Sequence, residues 1–176
     1  MTRAVKGAMK YDSKDMVLAG ALGWLCGMRS MAGPALVARK LVRNEQVVVA
    51  LGVGAVGEML VDKHPATPNR TDPPSVIART MSGAVTGAAI MVSGAGWSTR
   101  SPLRSRRASW PMNSARTAEA ALVGAVIGGG AAYIGTFASY HLRRILSART
   151  QAPNVVLGVA EDAVVYGAGI ALSNEL

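Results

Sequence analysis

Residues 153–172 read PNVVLGVAEDAVVYGAGIAL, a stretch opened by proline, apolar almost throughout, and interrupted at its centre by Glu161 and Asp162. Twenty helical residues cover about 30 Å, the hydrocarbon thickness of a bilayer. Pro153 stands where a helix tolerates proline best, at its start. Charge halfway along a membrane helix is costly, and side chains retained there usually serve a polar site or a buried pair. Four more ionisable residues, Arg29, Glu58, Asp62 and Arg79, lie inside or at the ends of similar stretches. The chain therefore reads as an all-α, polytopic transmembrane helical bundle with a polar site between its helices.

Composition agrees. Half of the 176 residues are hydrophobic but only 5% are aromatic, so the apolar bulk is Ala, Val, Gly and Leu rather than the large rings of a soluble core. Twenty glycines would weaken soluble helices by about 1 kcal/mol each relative to alanine. Membrane helices use small residues to approach one another closely.

The formal net charge is +9, which by itself would suit nucleic acid. Its placement excludes that partner: the basic residues fall between apolar segments, as in Arg39, Lys40 and Arg43, or Arg104, Arg106 and Arg107, or Arg143, Arg144 and Arg149. Such links orient a membrane protein. The lone cysteine, Cys26, excludes an intrachain disulfide and a thiolate metal cluster. Residues 1–28 imitate a signal peptide, but Asp12 and Asp15 interrupt the basic region, and an uncleaved first segment is expected.

Along the chain, a basic cytoplasmic arm over 1–15 precedes a single transmembrane domain over 16–172, with segments at about 16–38, 46–62, 75–96, 118–142 and 153–172. Segment one carries Arg29, Ser30, Gly33 and Pro34, and proline removes a helix donor. Glu58 and Asp62 are four apart, on one helical face. Four prolines between Lys63 and Pro74 give a stiff loop. Gly83 and Gly87 form a G-x-x-x-G face, and Gly128–Gly130 a flexible point in segment four. Trp110 is an interfacial anchor in the long basic linker over 97–116.

Gly20–Arg29 and Gly124–Gly130 share a small-residue rhythm, and Leu-Gly-Val recurs at 51–53 and 157–159. Five full crossings would make these two halves an inverted repeat, and chance similarity is the alternative. Five crossings put nine Lys and Arg on one side and eight on the other. Re-entrant hairpins at segments one and four, broken at Gly33-Pro34 and at the triple glycine, put fifteen against two. Charge bias favours the second arrangement, while segment four is long enough to cross outright. Four to six segments, with at least one broken or re-entrant helix, are expected.

Four strings in order, Gly27-Met-Arg29-Ser-Met-Ala-Gly33-Pro34, Glu58-Met-Leu-Val-Asp62-Lys63-His-Pro65, Arg79-Thr-Met-Ser-Gly83-Ala and Pro153-Asn-Val-Val-Leu-Gly-Val-Ala-Glu161-Asp162, resemble the bacterial membrane proteins grouped as domain of unknown function 4126. The resemblance spans about residues 15–172. It implies an all-helical, multi-pass protein of the bacterial inner membrane, and no known activity.

The candidate binding or transport residues are Arg29, Glu58, Asp62, Lys63, Arg79, Glu161 and Asp162. Glu161 and Asp162 either bind a cation or proton, or pair with Arg29 or Arg79. Arg29, beside a helix break, either holds an anionic group or pairs with Glu58 or Glu161. Asp62, Lys63, Arg70, Asp72 and Arg79 gather as a vestibule or latch at one face, or form a solvated loop. Lys63 and Arg70 imitate the start of a membrane phosphatase motif, but the sequence fails at Thr71 and carries neither of the later elements. His64 and His141 are isolated, no nucleophile or metal-ligand spacing is present, and neither enzyme activity, a catalytic residue, a metal nor a cofactor is expected.

The expected function is a small transporter or channel, proton- or cation-coupled, working as a homodimer or larger assembly in a bilayer with anionic lipid. The alternative is a non-transporting scaffold or accessory subunit whose buried charges specify helix packing. A transporter should align its charges along a polar cavity reaching both faces. A scaffold should close them into tight pairs.

Overall fold

A computed structural model describes residues 11–61, 71–94, 114–150 and 153–176. The described residues form six helices: α1 (Ser13–Met28), α2 (Ala32–Leu41), α3 (Glu45–Val61), α4 (Pro73–Gly94), α5 (Ser114–Thr150) and α6 (Asn154–Ser173). Local chemistry sets several of their starts. Asp12 accepts the Lys14 N–H at the head of α1, and Asn44 accepts those of Gln46 and Val47 at the head of α3. Pro73 and Pro153 open α4 and α6.

The centre of the molecule is α1, α4 and α5, brought together by glycine on glycine. A Cβ on Gly23 would lie 2.6 Å from the Gly128 Cα, one on Gly27 2.7 Å from the Thr136 N, and one on Gly83 2.6 Å from the Gly128 carbonyl oxygen. Gly87 faces Gly124 just as closely. Each helix thus offers a glycine pair four residues apart, and the backbones touch where side chains would hold them apart. Leu22, Ile90, Met91 and Val165 fill the remaining core.

Neighbouring residues give the directions. Gly87 meets Gly124 and Gly83 meets Gly128, so α4 and α5 are antiparallel. Gly23 meets Gly128 and Gly27 meets Ala132, so α1 and α5 run parallel. Inverted halves would need these two helices to oppose one another. Lys14 pairs with Glu175 and Arg29 with Asp162, which sets α1 antiparallel to α6. Leu36 lies against Gly169 and Lys40 against Asn174, which sets α2 parallel to α6. Between Met28 and Ala32 the chain therefore doubles back, and α1–α2 is a helical hairpin with both ends on one face of the bundle. That face also holds the end of α4 and the start of α5; the other face holds the start of α4, the end of α5 and the start of α6.

Four boundaries differ from those expected from the sequence. The first segment divides at Arg29–Met31, not at Gly33-Pro34. Pro34 is the third residue of α2, where its N–H would have no partner within the helix in any case, so it starts a helix instead of breaking one. The triple glycine does not interrupt α5, because Gly128 is clamped between α1 and α4. The same helix continues to Thr150, so Arg143, Arg144 and Arg149 are helical rather than part of a link. The arm also gives its last residues to α1, which begins at Ser13.

Around this core, valine, leucine and isoleucine point outward: Val49, Val53, Leu122, Val126, Ile134, Val155 and Val164 are all more than half exposed, Val126 by 74%. By length and composition, α4, α5 and α6 can each cross a membrane.

Candidate functional site

The tip of the hairpin is a helix end meeting a helix start, and both leave backbone groups without intrahelical partners. Arg29 has extended backbone, φ −140° and ψ 111°, and its N–H closes the last turn of α1 on Leu25. The exposed carbonyls that follow are taken by side chains. Arg79 Nη1 donates to Gly27 at 3.0 Å and to Met28 at 2.6 Å, Thr136 Oγ1 donates to Gly27 at 3.2 Å, and Ser82 donates to Ser30. The N–H groups that open α2 find an acid: Glu58 Oε1 accepts from Ser30 N at 2.8 Å and Ser30 Oγ at 2.9 Å, and Oε2 accepts from Met31 N at 2.8 Å.

The signs match the helix dipoles. A guanidinium covers the negative end of α1, and a carboxylate covers the positive end of α2. These two charges also face each other, with Arg79 Nη2 3.8 Å from Glu58 Oε1. Arg79 Nε reaches back 3.3 Å to Ser75 within α4.

Arg29 itself turns toward α6. Its Nη2 lies 2.6 Å from Asp162 Oδ1, with Arg29 1% and Asp162 4% exposed. The approach is close but off the hydrogen-bonding direction, so charge holds the pair, and neither Asp162 oxygen has an aligned donor among the described residues. Arg29, Arg79, Glu58 and Asp162 together sum to zero formal charge around a three-residue turn. The tip lies about 9 Å short of the start of α4, the six residues from Pro73 to Arg79 at 1.5 Å each.

Glu161 is not part of this group. Consecutive helical residues point about 100° apart, and Glu161 leaves α6 toward α5, where Arg143 Nη1 is 3.7 Å from its Oε2. That pair borders a cleft of about 190 Å³ reaching Met28, Ser139 and Val164. A larger cleft of about 350 Å³ separates α2, α3 and α6, walled by carbon except at Arg39 and the Tyr166 hydroxyl. Tyr166 OH stands 3.5 Å from the Ala55 carbonyl, a long contact joining α6 to α3.

Of the sequence candidates, Arg29, Glu58, Arg79 and Asp162 thus meet at one place, Glu161 stands apart, and Asp62 and Lys63 lie outside the described residues. Arg79 is buried at the tip, 5% exposed. Arg29 takes Asp162 as a partner. Sequence reading missed Ser30, Ser82 and Thr136, the hydroxyls that complete the tip, and Arg143, which it placed in a link. Serine and threonine are common in membrane helices, and nothing in their spacing singles these out. Among the described residues no three His, Cys, Asp or Glu side chains group as metal ligands, and Cys26 is a buried free thiol, its Sγ 3.5 Å from Thr86 Oγ1. Comparison of the chain with protein-family models, curated proteins and solved structures gave no match.

Proposed function

We propose that this chain is an integral membrane protein in which α3, α4, α5 and α6 cross the bilayer, while the α1–α2 hairpin enters from one face and returns to it. The outward valine and leucine surface supports lipid as its surroundings, because a soluble monomer rarely exposes so much contiguous apolar area. α3, with 17 residues, spans about 26 Å, near the lower limit for a crossing. Charge supports the orientation. Assigned by the helix ends they join, twelve of the nineteen Lys and Arg belong to the face that holds the hairpin's ends and five to the opposite face. That bias makes the hairpin's face cytoplasmic. A bacterial inner-membrane location and kinship with the domain of unknown function 4126 proteins belong to the same proposal.

Within that frame the function is that of a structural or accessory membrane subunit, whose buried charges lock a re-entrant hairpin into a small bundle. One observation carries this: the charges at the tip close on each other and on the two helix ends, while the clefts beside them are walled mainly by carbon. A solute path would need polar walls. Flux of protons and of monovalent cations into liposomes, with wild-type protein and with Asp162→Asn, tests the reading. The expected result is flux equal to that of empty liposomes for both.

A second reading, a small transporter or channel, is favoured by the Asp162 carboxylate, which is buried without an aligned donor, and by two half-helices meeting inside the bundle, as at many transport sites. Flux in the wild type that Asp162→Asn abolishes would select this reading over the first.

A further inference from the structure

The larger cleft has a shape and a polarity that name its occupant. It is bounded by α2 and α3, which run antiparallel, and closed behind by Tyr166 of α6. Arg39 and Val48 lie at the end nearest the hairpin's open face, while Ala35 and Met59 lie toward the tip. From Val48 to Met59 the groove extends about 17 Å at 1.5 Å per residue. One leaflet of a bilayer is about 15 Å of hydrocarbon. The walls suit an acyl chain and nothing polar.

At the face end stands one cation. Arg39 is exposed and has no ion-pair or hydrogen-bond partner among the described residues, so its guanidinium is available to a phosphate, which it can meet through two parallel N–H groups. We propose that this cleft binds an anionic phospholipid, one acyl chain lying between α2 and α3 and the phosphate head group on Arg39. The site rests on the membrane disposition proposed above, since it needs the α2–α3 groove to open into the leaflet that borders the basic face.

Gly52 supplies a clean way to close the groove, because a Cβ there meets no atom within 4 Å. Its Cβ would enter open space on the cleft wall, so Gly52→Leu directs an isobutyl group into the cleft. Arg39→Gln removes the charge alone, and Arg43→Gln, on the same face but outside the groove, serves as control. Each protein is purified in mild detergent with equal phosphatidylglycerol and phosphatidylcholine, and native mass spectrometry counts the lipids retained per chain. Wild type and Arg43→Gln should retain phosphatidylglycerol about fivefold over phosphatidylcholine, the preference one surface cation confers. Arg39→Gln should retain both lipids equally, and Gly52→Leu should lose both. Equal retention of the two lipids by wild type, or an undiminished preference in Arg39→Gln, overturns the site. A dimer that Gly52→Leu dissolves while lipid retention stays constant assigns the groove to a second copy and also overturns it. A protein that stays monodisperse after detergent removal defeats the membrane disposition itself, an outcome distinct from a detergent-dependent protein that shows no lipid preference.

Discussion

Arg29 and Asp162 carry the sharpest consequence of burial. Each is almost wholly removed from solvent, so deleting Arg29 leaves the Asp162 carboxylate buried without its cation, which costs about 3–5 kcal/mol, and deleting the acid removes a close charge partner from Arg29, whereas apolar replacement of both is close to neutral. Asp162→Asn and Arg29→Met should each lower the unfolding midpoint in detergent sharply, and Arg29→Met with Asp162→Leu should restore most of the loss. Glu58 makes a graded case. Glu58→Gln keeps one acceptor but turns an N–H₂ against a donor at the start of α2, a loss of about 1–3 kcal/mol from one orphaned group. Glu58→Ala, which uncovers both N–H groups and takes the Glu58 carboxylate away from Arg79, should destabilise more, as read by the same unfolding measurement. That these acids are buried was legible from their apolar neighbours, but their partners were not. Glu161 and Asp162 are adjacent in sequence and point to different helices, and which of them meets Arg29 depends on how α6 is rotated, a property of packing that no local pattern records.

At the scale of the helix, glycine does two opposite things in this chain, and contact distinguishes them. Gly128 sits between the backbones of Gly83 and Gly87 on α4 and that of Gly23 on α1, so Gly128→Val should separate three helices and prevent a stable bundle, detectable as aggregation in size-exclusion chromatography. Gly130, two residues on, meets nothing within 4 Å. Gly130→Ala should be neutral or stabilising by up to about 1 kcal/mol in detergent unfolding, through helix propensity alone. Composition announced close packing and spacing announced the Gly83–Gly87 face, but the triple glycine read as a break because propensity is weak against tertiary contact. Pro34 misled for a related reason: a proline inside an apolar segment signals an interruption, yet whether it ends one helix or begins the next depends on the side chains that cap the turn. Here Glu58 and Arg79, 24 or more residues downstream in sequence, supply those caps.

For the whole molecule, the doubling back of α1–α2 decides which helix ends share a face, and with it the orientation that charge assigns. Counting Lys and Arg over five crossings gives nine against eight, and over two hairpins fifteen against two, the arrangement charge bias favours; the proposed single hairpin with four crossings gives twelve against five. The sequence carried the segments, the charges and a break in the first segment, but not the place of the turn, which falls at Arg29–Met31 rather than at Gly33-Pro34. Labelling by a membrane-impermeant maleimide in oriented vesicles addresses the hairpin most directly, with single cysteines introduced at Asp12, Asn44 and Asp72 and the fully buried Cys26 left in place. Asp12 and Asn44 flank the hairpin, and Asp72 precedes α4. Positions 12 and 44 should react from the same side of the membrane and position 72 from the other; reaction of 12 and 44 from opposite sides would contradict the hairpin and the fold built around it.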